Sequence, residues 1–477
     1  MSDLFKTASF TAIISDLHLT EEEPVHPKFP LWKKYKTRQF FFDDALAEFF
    51  EHIQEKAQGQ TVELSLNGDI FDFDSVTQLP ETPVFRISYW ERKRGLEPRE
   101  EKSTFKIRKI LSDHQEFLTA LSNFIRKGHR VVFVMGNHDL ELHFPQVQEE
   151  IRRQLRLTQA EQLRVRFVEW FFISNQDTLI EHGNQYDPYC LCEDPVSPFV
   201  KGYNHIYLKL PFGNIACRYI MNGLAFFNPH TEGSYIMSLK DYIVIFIRHM
   251  VRAQPLLVVT WFGGSVATLW RTFKDRLAYP TKNAFTIENR IDEIAMKANA
   301  EPRIIREMKE LLAPPASSNP FLIARELWLD RAFIILMSAV VIFYIFTFLK
   351  ATFGISLFWS FVPFAVFLPF FLFYSRSITS LVSSYKEPDD RILAITALIT
   401  KVKRVVYGHT HLPRHEIIGA VEHLNSGTWS PAFKDVEYKI PVEQRNYVWI
   451  SPHEGGRRAQ LLKFDRNLKP QRDTDAS

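Results

Sequence analysis

The sequence predicts an α/β protein with a large helical insertion that contains two membrane-spanning segments. Two features support this prediction. Short apolar runs rich in β-branched residues alternate with longer helical patterns between residues 10 and 182, and another such run lies near residue 404. This alternation is typical of layered α/β folds. The predicted strands are residues 10–15, 61–66, 130–135, 178–182 and 404–408, and helical patterns occupy residues 38–57 and 106–128.

The second feature is a pair of long segments without any charged residue. Residues 332–349 form the first, and after Lys350 residues 351–375 form the second. A helix needs roughly 20 apolar residues to cross the hydrocarbon core of a bilayer. We therefore predict a transmembrane hairpin over residues 331–376, with its turn at 350–355. The alternative is a pair of helices buried in a large soluble core.

Flanking charges predict the orientation of this hairpin. Arg331 precedes it and Arg376 follows it, whereas the turn contains only Lys350. Because positive charges favour the cytoplasmic side, both outer ends are expected there, together with the parts of the chain that precede and follow the hairpin. A third apolar stretch, residues 243–270, is interrupted by charges, and its sequence is compatible with either a span or an interfacial helix.

The composition narrows the class of protein. The net charge of +3 on 477 residues lacks the basic excess typical of nucleic-acid binding, so no nucleic-acid partner is expected. The three cysteines form no CxxC pair, which favours a reducing compartment over a disulfide framework. The N-terminus shows no signal-peptide pattern, so we expect no processing there.

Each of the five predicted strands ends in Asp, Asn or His residues. Ligand sites collect at the carboxyl ends of strands in open α/β sheets. Residues i and i+2 of an extended segment point the same way, so such pairs can reach one site together. Neighbouring glycines allow the backbone to turn sharply after the strand. The five motifs are Asp16-Leu17-His18, Asn67-Gly68-Asp69, Gly136-Asn137-His138-Asp139, His182-Gly183 and Gly408-His409-Thr410-His411.

Together these motifs predict a dinuclear metal site. Their mixed oxygen and nitrogen donors suit manganese, iron or zinc better than calcium or a thiolate-bound metal. Seven donors exceed what one ion takes from a protein, so we expect two divalent ions that share a carboxylate. Manganese is the favoured metal. The predicted ligands are Asp16, His18, Asp69, Asn137, His182, His409 and His411.

In order and residue type, the five motifs resemble those of the calcineurin-like metallophosphoesterases, over residues 8–185 and 395–465. This resemblance implies a β-sandwich flanked by helices and attack of a metal-activated water on phosphorus. His138 would protonate the leaving oxygen, Asp139 would orient His138, and Asp72 would hydrogen-bond a ligand. One ion would be held by Asp16, His18, Asp69 and His411, and the second by Asp69 as the bridge with Asn137, His182 and His409.

The insertion between His182 and His409 bears on the substrate. The UDP-2,3-diacylglucosamine diphosphatases of lipid A synthesis have a membrane-touching helical cap between the same two motifs, and residues 14–19, ISDLHL, resemble that branch. The chain departs from it in having His138 where arginine is common, and in a much larger insertion. The resemblance therefore favours a membrane-anchored hydrolase of a phosphoester or pyrophosphate bond in a lipid or lipid-linked substrate, such as a nucleotide-diphospho-lipid.

Three alternatives remain from the sequence. The same chemistry could act on a soluble nucleotide or phosphoprotein, with the spans as an anchor only. A non-catalytic scaffold is disfavoured by the intact ligand set, and a nuclease by the near-neutral charge. The predicted organisation is a first part of the phosphoesterase domain at 1–185, a helical and partly membrane-interfacial cap at 186–330, the hairpin at 331–376, the second part of the domain at 390–465 and a flexible tail at 466–477.

Overall fold

The computed structural model describes residues 4–202, 205–224, 247–248, 256–281, 284–377, 387–433, 438–442 and 444–465. The predicted tail at 466–477 and most of the charge-interrupted first half of the 243–270 stretch lie outside the described residues. The strands are β1 Phe10–Ile14, β2 Val62–Asn67, β3 Arg130–Val134, β4 Val165–Val168, β5 Phe171–Ser174, β6 Thr178–Glu181, β7 Phe199–Lys201, β8 Ile206–Leu208, β9 Tyr279–Pro280, β10 Arg404–Tyr407, β11 Arg414–Ile418, β12 Val421–Asn425, β13 Ala432–Phe433, β14 Pro441–Val442, β15 Asn446–His453 and β16 Gly456–Lys463. The α-helices are α1 Asp43–Lys56, α2 Tyr89–Arg94, α3 Glu100–Asp113, α4 Gln115–Arg126, α5 Pro145–Leu155, α6 Gln159–Gln162, α7 Phe212–Ala216, α8 Asn222–Leu224, α9 Leu257–Arg276, α10 Ala284–Lys297, α11 Pro302–Lys309, α12 Pro320–Glu326, α13 Leu329–Phe353, α14 Phe361–Ser377 and α15 Asp390–Thr400.

A six-stranded sheet forms the first half of the molecule, in the order β16-β15-β1-β2-β3-β4. Strands β1 to β4 run parallel, and β15 returns antiparallel beside β1. One face of this sheet packs on helices, where Leu64 and Phe133 lie in one buried cluster with Phe49 of α1 and Phe117 of α4. Strands buried on both faces read as nearly continuous apolar runs, which is why the sequence predicted them.

A second, five-stranded sheet has the order β11-β12-β10-β6-β5. Strand β10 runs parallel to both β6 and β12. The inner faces of the two sheets share one buried cluster, in which Ile13 and Val132 of the first sheet pack with Leu179 and Val405 of the second. The fold is therefore a mixed α/β arrangement of two stacked sheets with helices outside, in agreement with the predicted class.

Two predicted helices differ from the observed ones. The 38–57 pattern begins with a 3-10 turn, and α1 starts only at Asp43. The 106–128 pattern contains two helices, α3 and α4, which are separated at His114. Nδ1 of the buried His114 ring lies 2.9 Å from Asp43 Oδ1, and Nε2 of the same ring lies 2.9 Å from the Thr20 carbonyl oxygen. Both helices face the same core, so apolar residues recur at helical spacing on both sides of His114. The sequence pattern therefore predicts one continuous helix.

The insertion contributes helices to two places. Helix α7, a π-helical turn at Cys217–Met221 and α8 pack against α9 and form a cap. Helices α10 and α11 instead pack on the second sheet, where Ile294 and Met308 share its buried cluster. The domain boundaries derived from the sequence stay a prediction.

Helix α13 has 25 residues, a mean hydropathy of 2.7 in its most apolar window, and no buried residue in that window. Among the described helices, it alone is long and apolar enough to cross a membrane, whereas α14 is a shorter apolar helix. The described helices therefore do not support the predicted two-span hairpin, which stays a prediction. The turn also lies later than predicted: Lys350 belongs to the last turn of α13, which ends at Gly354 with φ 66°. A lysine near a helix C-terminus is electrostatically favourable, so it does not end the helix.

Candidate metal centre

The carboxyl ends of β1, β2, β3, β6 and β10 meet at one edge of the two sheets. Backbone hydrogen bonds join the segments that follow these strands: Asp16 N donates to Gly68 O at 3.1 Å and His18 N to Asp69 O at 2.9 Å. Across the sheets, Gly408 N donates to the His182 carbonyl oxygen at 3.0 Å. Five motifs that are far apart in the chain therefore form one continuous polar edge.

Five of the seven predicted ligands have a left-handed backbone. The φ angles are 56° at Asp16, 49° at His18, 52° at Asp69, 65° at His409 and 59° at His411. This conformation costs on the order of 1 kcal/mol for a residue with a side chain. Such strain persists only where the surrounding structure enforces it, and it clusters at functional sites.

A first group of donors comprises Asp16, His18 and His411. One ligand atom from each lies within 4.8 Å of the other two. His411 Nε2 is 3.2 Å from Asp16 Oδ1 and 3.3 Å from His18 Nε2. His18 Nε2 also lies 4.0 Å from Asp69 Oδ2, which connects this group to the next one.

A second group comprises Asp69, His182 and His409, again with one ligand atom each within 4.8 Å. His182 Nε2 is 3.2 Å from Asp69 Oδ2, and its Nδ1 is 3.0 Å from the Asn67 carbonyl oxygen. A hydrogen bond from Nδ1 to that oxygen directs Nε2 of His182 towards the site. Asn137 is buried beside this group, and its Oδ1 accepts no hydrogen bond from any residue that the structure describes.

These residues fit two divalent cations. Ligand bonds of about 2.0–2.2 Å place neighbouring ligands roughly 3 to 4 Å apart. The N–O and N–N separations in the two donor groups fall in that interval. The imidazole nitrogens face carboxylates and one another, and the buried Oδ1 of Asn137 has no hydrogen-bond donor among the described residues. Asp69 lies between the two groups, where a shared carboxylate would have to be.

Two glycines are required for this packing. A β-carbon at Gly68 would lie 2.3 Å from His182 Nδ1, and one at Gly136 would lie 2.3 Å from Asp69 Oδ1. Neither clash involves a flexible side-chain end, because both neighbours are held in the site. The glycines of these motifs thus make room for ligands from other motifs.

The electrostatics of the edge favour bound positive charge. Burial alone would raise the pKa of Asp69, but the charges of His182 and His138 outweigh it and hold that pKa well below its ordinary value. Burial likewise opposes protonation of His182, yet Asp69 and Asp16 raise its pKa to about 9. The buried carboxylates thus stay ionised only with cationic partners beside them, a role that divalent cations would fill.

His138 lies beside the donor groups, with its ring 5.2 Å from the His18 ring. Its Nδ1 is 3.3 Å from Asp74 Oδ2 and 3.5 Å from Asp72 Oδ1. The predicted role of Asp139 needs correction. Its carboxylate accepts from Gly136 N at 2.6 Å and from Ile70 N at 2.8 Å, so it braces two ligand loops, and the carboxylates beside the His138 ring are Asp72 and Asp74.

Sequence reasoning did not identify three residues at this edge. Asp187 Oδ2 lies 3.1 Å from His409 Nε2, and its proximity to the His182-Gly183 motif was an available signal. Asp74 follows Asp72 by two residues, which places both on one side of an extended segment. Asn214 of α7 donates to the Asn137 carbonyl oxygen at 2.7 Å and also to Asp74; nothing in the sequence of the insertion indicated it.

The clustered histidines and carboxylates at the strand ends of the two stacked sheets could hold metal ions. Residues 11–212 match the family model of the calcineurin-like phosphoesterases, so the chain contains a domain of that family. The predicted family and enzyme class are thereby confirmed. His409 and His411 lie beyond the matched residues and join the site through the fold. A comparison with curated proteins found no match.

Proposed function

We propose that the protein is a membrane-anchored dinuclear metallophosphoesterase that hydrolyses a phosphoester or pyrophosphate bond in a lipid or lipid-linked substrate, such as a nucleotide-diphospho-lipid. The observation that supports this most is the pair of donor groups around Asp69, in the same chain as the exposed apolar helix α13. The donor groups support the type of reaction, and helix α13 supports a reaction at a membrane.

The proposed ligand sets follow the two donor groups. Asp16, His18 and His411 would hold one ion, His182, His409 and Asn137 would hold the other, and Asp69 would be shared between them. The mixed oxygen and nitrogen donors favour manganese, with iron or zinc as the alternatives. When bound, the two cations lower the pKa of a water molecule and neutralise charge on the phosphoryl oxygens.

The role of His138 is to donate a proton to the leaving oxygen. Burial opposes its protonation, but the charges of Asp69 and the carboxylates of Asp72 and Asp74 raise the pKa of His138 well above its ordinary value. A protonated imidazole beside the phosphoryl group is suited to general-acid catalysis. Asp72 and Asp74 orient the ring through Nδ1, which leaves Nε2 for the substrate.

The membrane anchor is supported by the surface of α13. Its large side chains are exposed although they are apolar; Phe343 is 65% and Tyr344 68% exposed. A helix that is apolar all round and uncovered by protein requires an apolar solvent. Tyr374 OH of α14 donates to Asp330 Oδ2 at 2.8 Å, so α14 returns antiparallel to the start of α13. The 3-10 turn at Leu357–Ser360 lengthens the returning segment.

Site assembly also favours an even number of crossings. Asp69 and His182 precede α13, whereas His409 and His411 follow it, and their side chains meet at one edge. A polypeptide that crossed the membrane once between them would place the two halves on opposite sides. We therefore propose two crossings, with the catalytic domain on the cytoplasmic side.

Helix α9 of the cap supports a lipid-linked substrate, because its buried side is polar and its exposed side is apolar. Its buried side contains Thr268 and Thr272, whose hydroxyls donate back to carbonyl oxygens of the preceding turn. Its outer side contains Phe262 and Trp270, which are 50% and 66% exposed. An apolar outer face suits contact with a lipid surface. A cavity of about 490 Å³ opens beside this helix, lined by Trp90, Tyr219, Phe262, Val266 and Trp270 among others.

Cysteine labelling tests the anchor. A cysteine placed at Ser356, in the turn between α13 and α14, should react with an impermeant reagent added to intact cells. A cysteine at Ser2 or Ser477 should not react until the cells are opened. Labelling of one terminus from outside would mean an odd number of crossings and would contradict the anchor as proposed.

A substrate comparison tests the reaction. Full-length protein in detergent with Mn²⁺ should hydrolyse a lipid-linked pyrophosphate with a higher kcat/KM than a soluble nucleotide pyrophosphate. Equal or better turnover of the soluble compound, or of a phosphopeptide, would favour the alternative in which the apolar helices serve only as an anchor. Turnover of none of them would reject the proposed function.

A further inference from the structure

Arg94, the last residue of α2, is a partly buried cation that has no acidic partner in the part of the chain that the structure describes. Among the residues that the structure describes, no carboxylate pairs with its guanidinium, and the buried Nε has no hydrogen-bond acceptor. Burial lowers the pKa of Arg94. A cation that is partly withdrawn from water is unfavourable without a counter-charge or hydrogen-bond acceptors. Such a group is therefore expected to have a ligand.

The cap is shaped to hold this guanidinium. A β-carbon at Gly223 of α8 would lie 2.6 Å from Arg94 Cζ and 2.6 Å from Nη1. Four residues earlier in each segment, the ring of Trp90 on α2 packs against the ring of Tyr219 in the π-helical turn before α8, with the centroids 5.9 Å apart. The two helices thus face each other at matching positions, and the missing side chain at residue 223 provides the space for Arg94.

Arg94 lies on the leaving-group side of the site. Asn222 Nδ2 donates both to the Asp74 carbonyl oxygen at 2.8 Å and to the Arg94 carbonyl oxygen at 3.1 Å. The Asp74 carboxylate is in turn 3.3 Å from His138 Nδ1. The side-chain amide of Asn222 therefore links the backbone of Arg94 to Asp74, which orients the His138 ring. The leaving oxygen takes its proton from His138, so the leaving group extends towards the cap.

We propose that Arg94 binds an anionic group on the leaving group of the substrate. This inference rests on the proposed function and specifies it: the bond cleaved is the P–O bond of a pyrophosphate. Water forms the new P–O bond, and the leaving oxygen departs with a proton from His138 as part of a phosphomonoester. A guanidinium suits that product because its fork of N–H donors matches phosphate oxygens in pairs.

Kinetics with two probes test the assignment. Arg94→Ala should raise KM for a nucleoside diphosphate sugar by about 10- to 100-fold, the range expected for hydrogen bonds to a charged group. On p-nitrophenyl phosphate, whose leaving group lacks a phosphate, kcat/KM should stay within about twofold of wild type. Arg94→Lys should restore part of the affinity. Gly223→Ala should resemble Arg94→Ala, because the added methyl group displaces the guanidinium.

Arg92→Ala is the matched control, since Arg92 is an exposed arginine on the same helix, and it should behave as wild type on both probes. Equal loss on both probes in Arg94→Ala, or no loss on either, would overturn the assignment. Calorimetric titration with inorganic pyrophosphate gives an independent reading, in which Arg94→Ala should bind more weakly than Arg92→Ala. Should wild type hydrolyse neither these probes nor a lipid-linked pyrophosphate, the proposed function fails, whereas equal pyrophosphate binding by the two variants would reject the role of Arg94.

Discussion

The candidate metal centre at the edge of the sheets and helix α13 both depart from the usual pattern of polar side chains outside and apolar side chains inside, and they do so in opposite ways. At the edge, ionisable side chains are buried; Asp16 and His182 are 0% exposed and Asp69 is 2% exposed. On α13, apolar side chains face outwards instead, with Val341 49% and Phe343 65% exposed. Each arrangement is unfavourable in water without a further component. The buried ionisable side chains of the edge support the proposal of bound cations, and the exposed apolar side chains of α13 support the proposal of a membrane anchor.

The two regions also differ in how they are built. The edge depends on five chain segments that meet only through the fold, and several of its residues are held in left-handed backbone. Helix α13 is one local segment whose character follows from composition alone. Substitutions at the edge should therefore affect chemistry without affecting membrane association, and substitutions on α13 should do the reverse.

The largest expected effect comes from removing a ligand. Asp69→Asn and His409→Ala should each lower phosphoesterase turnover by more than about 10⁴-fold, because metal-ion catalysis supplies several kcal/mol of transition-state stabilisation. Both variants should remain in the membrane fraction. His453→Ala, an exposed histidine on β15, is the control and should keep full activity. Near-normal turnover of either ligand variant at saturating Mn²⁺ would contradict the ligand assignment.

Replacement of His138 should separate proton transfer from metal binding. His138→Ala should lower kcat by about 10²- to 10⁴-fold, the usual contribution of a general acid. Its metal content by elemental analysis should equal that of wild type. Loss of one metal equivalent would make His138 a ligand instead of a proton donor.

Two arginine substitutions, one on α13 and one on the catalytic domain, test whether α13 lies in lipid. Val341→Arg, at the middle of α13, should disfavour membrane insertion by about 2.5–3.5 kcal/mol, or roughly a hundredfold in the insertion equilibrium. Leu163→Arg replaces a residue that is 60% exposed on the catalytic domain, and it should leave both insertion and yield unchanged. Equal tolerance of the two substitutions would mean that α13 does not lie in lipid.

The smallest effect concerns Glu387, which lies between the two regions in the chain. Burial raises its pKa from 4.5 to about 7, although hydrogen bonds from Thr410 and Asn425 oppose the rise. The folded state therefore binds the proton more tightly than the unfolded state, and stability falls as the pH rises from about 4.5 to 7. Glu387→Gln should remove about 2 kcal/mol of that fall.

Thermal unfolding in detergent at pH 5 and pH 8 measures this difference. Glu454→Gln, at the exposed turn between β15 and β16, is the control and should keep the wild-type dependence. An unchanged pH dependence in Glu387→Gln would show that Glu387 is already ionised in the folded protein at pH 5.

The strands and the motifs after them could be predicted from the sequence because each is a local pattern. All five predicted strands are present, and their ends meet as expected for parallel neighbours. The break at His114 could not be predicted, since both helices beside it face one core and preserve the apolar period. The end of α13 was misplaced because a single lysine near a helix terminus does not interrupt the helix.

The contacts between the insertion and the residues around the site could not be predicted from the sequence. Asn214 reaches Asp74 and the Asn137 loop, and Arg94 reaches Gly223, only through packing of the cap on the catalytic domain. Neither residue belongs to a motif, because their partners lie more than 70 residues away in the chain. Asp139 was assigned from its position beside His138, whereas the fold turns its carboxylate towards two backbone amides.

The central claim is that two cations occupy the edge and share Asp69. Elemental analysis of the full-length protein, purified in detergent with Mn²⁺ and freed of loose metal, tests it most directly. We expect two metal equivalents per chain in wild type and a lower content in both His409→Ala and Asp69→Asn. A content of one or none in active wild-type protein, or two equivalents retained in both variants, would contradict the dinuclear site.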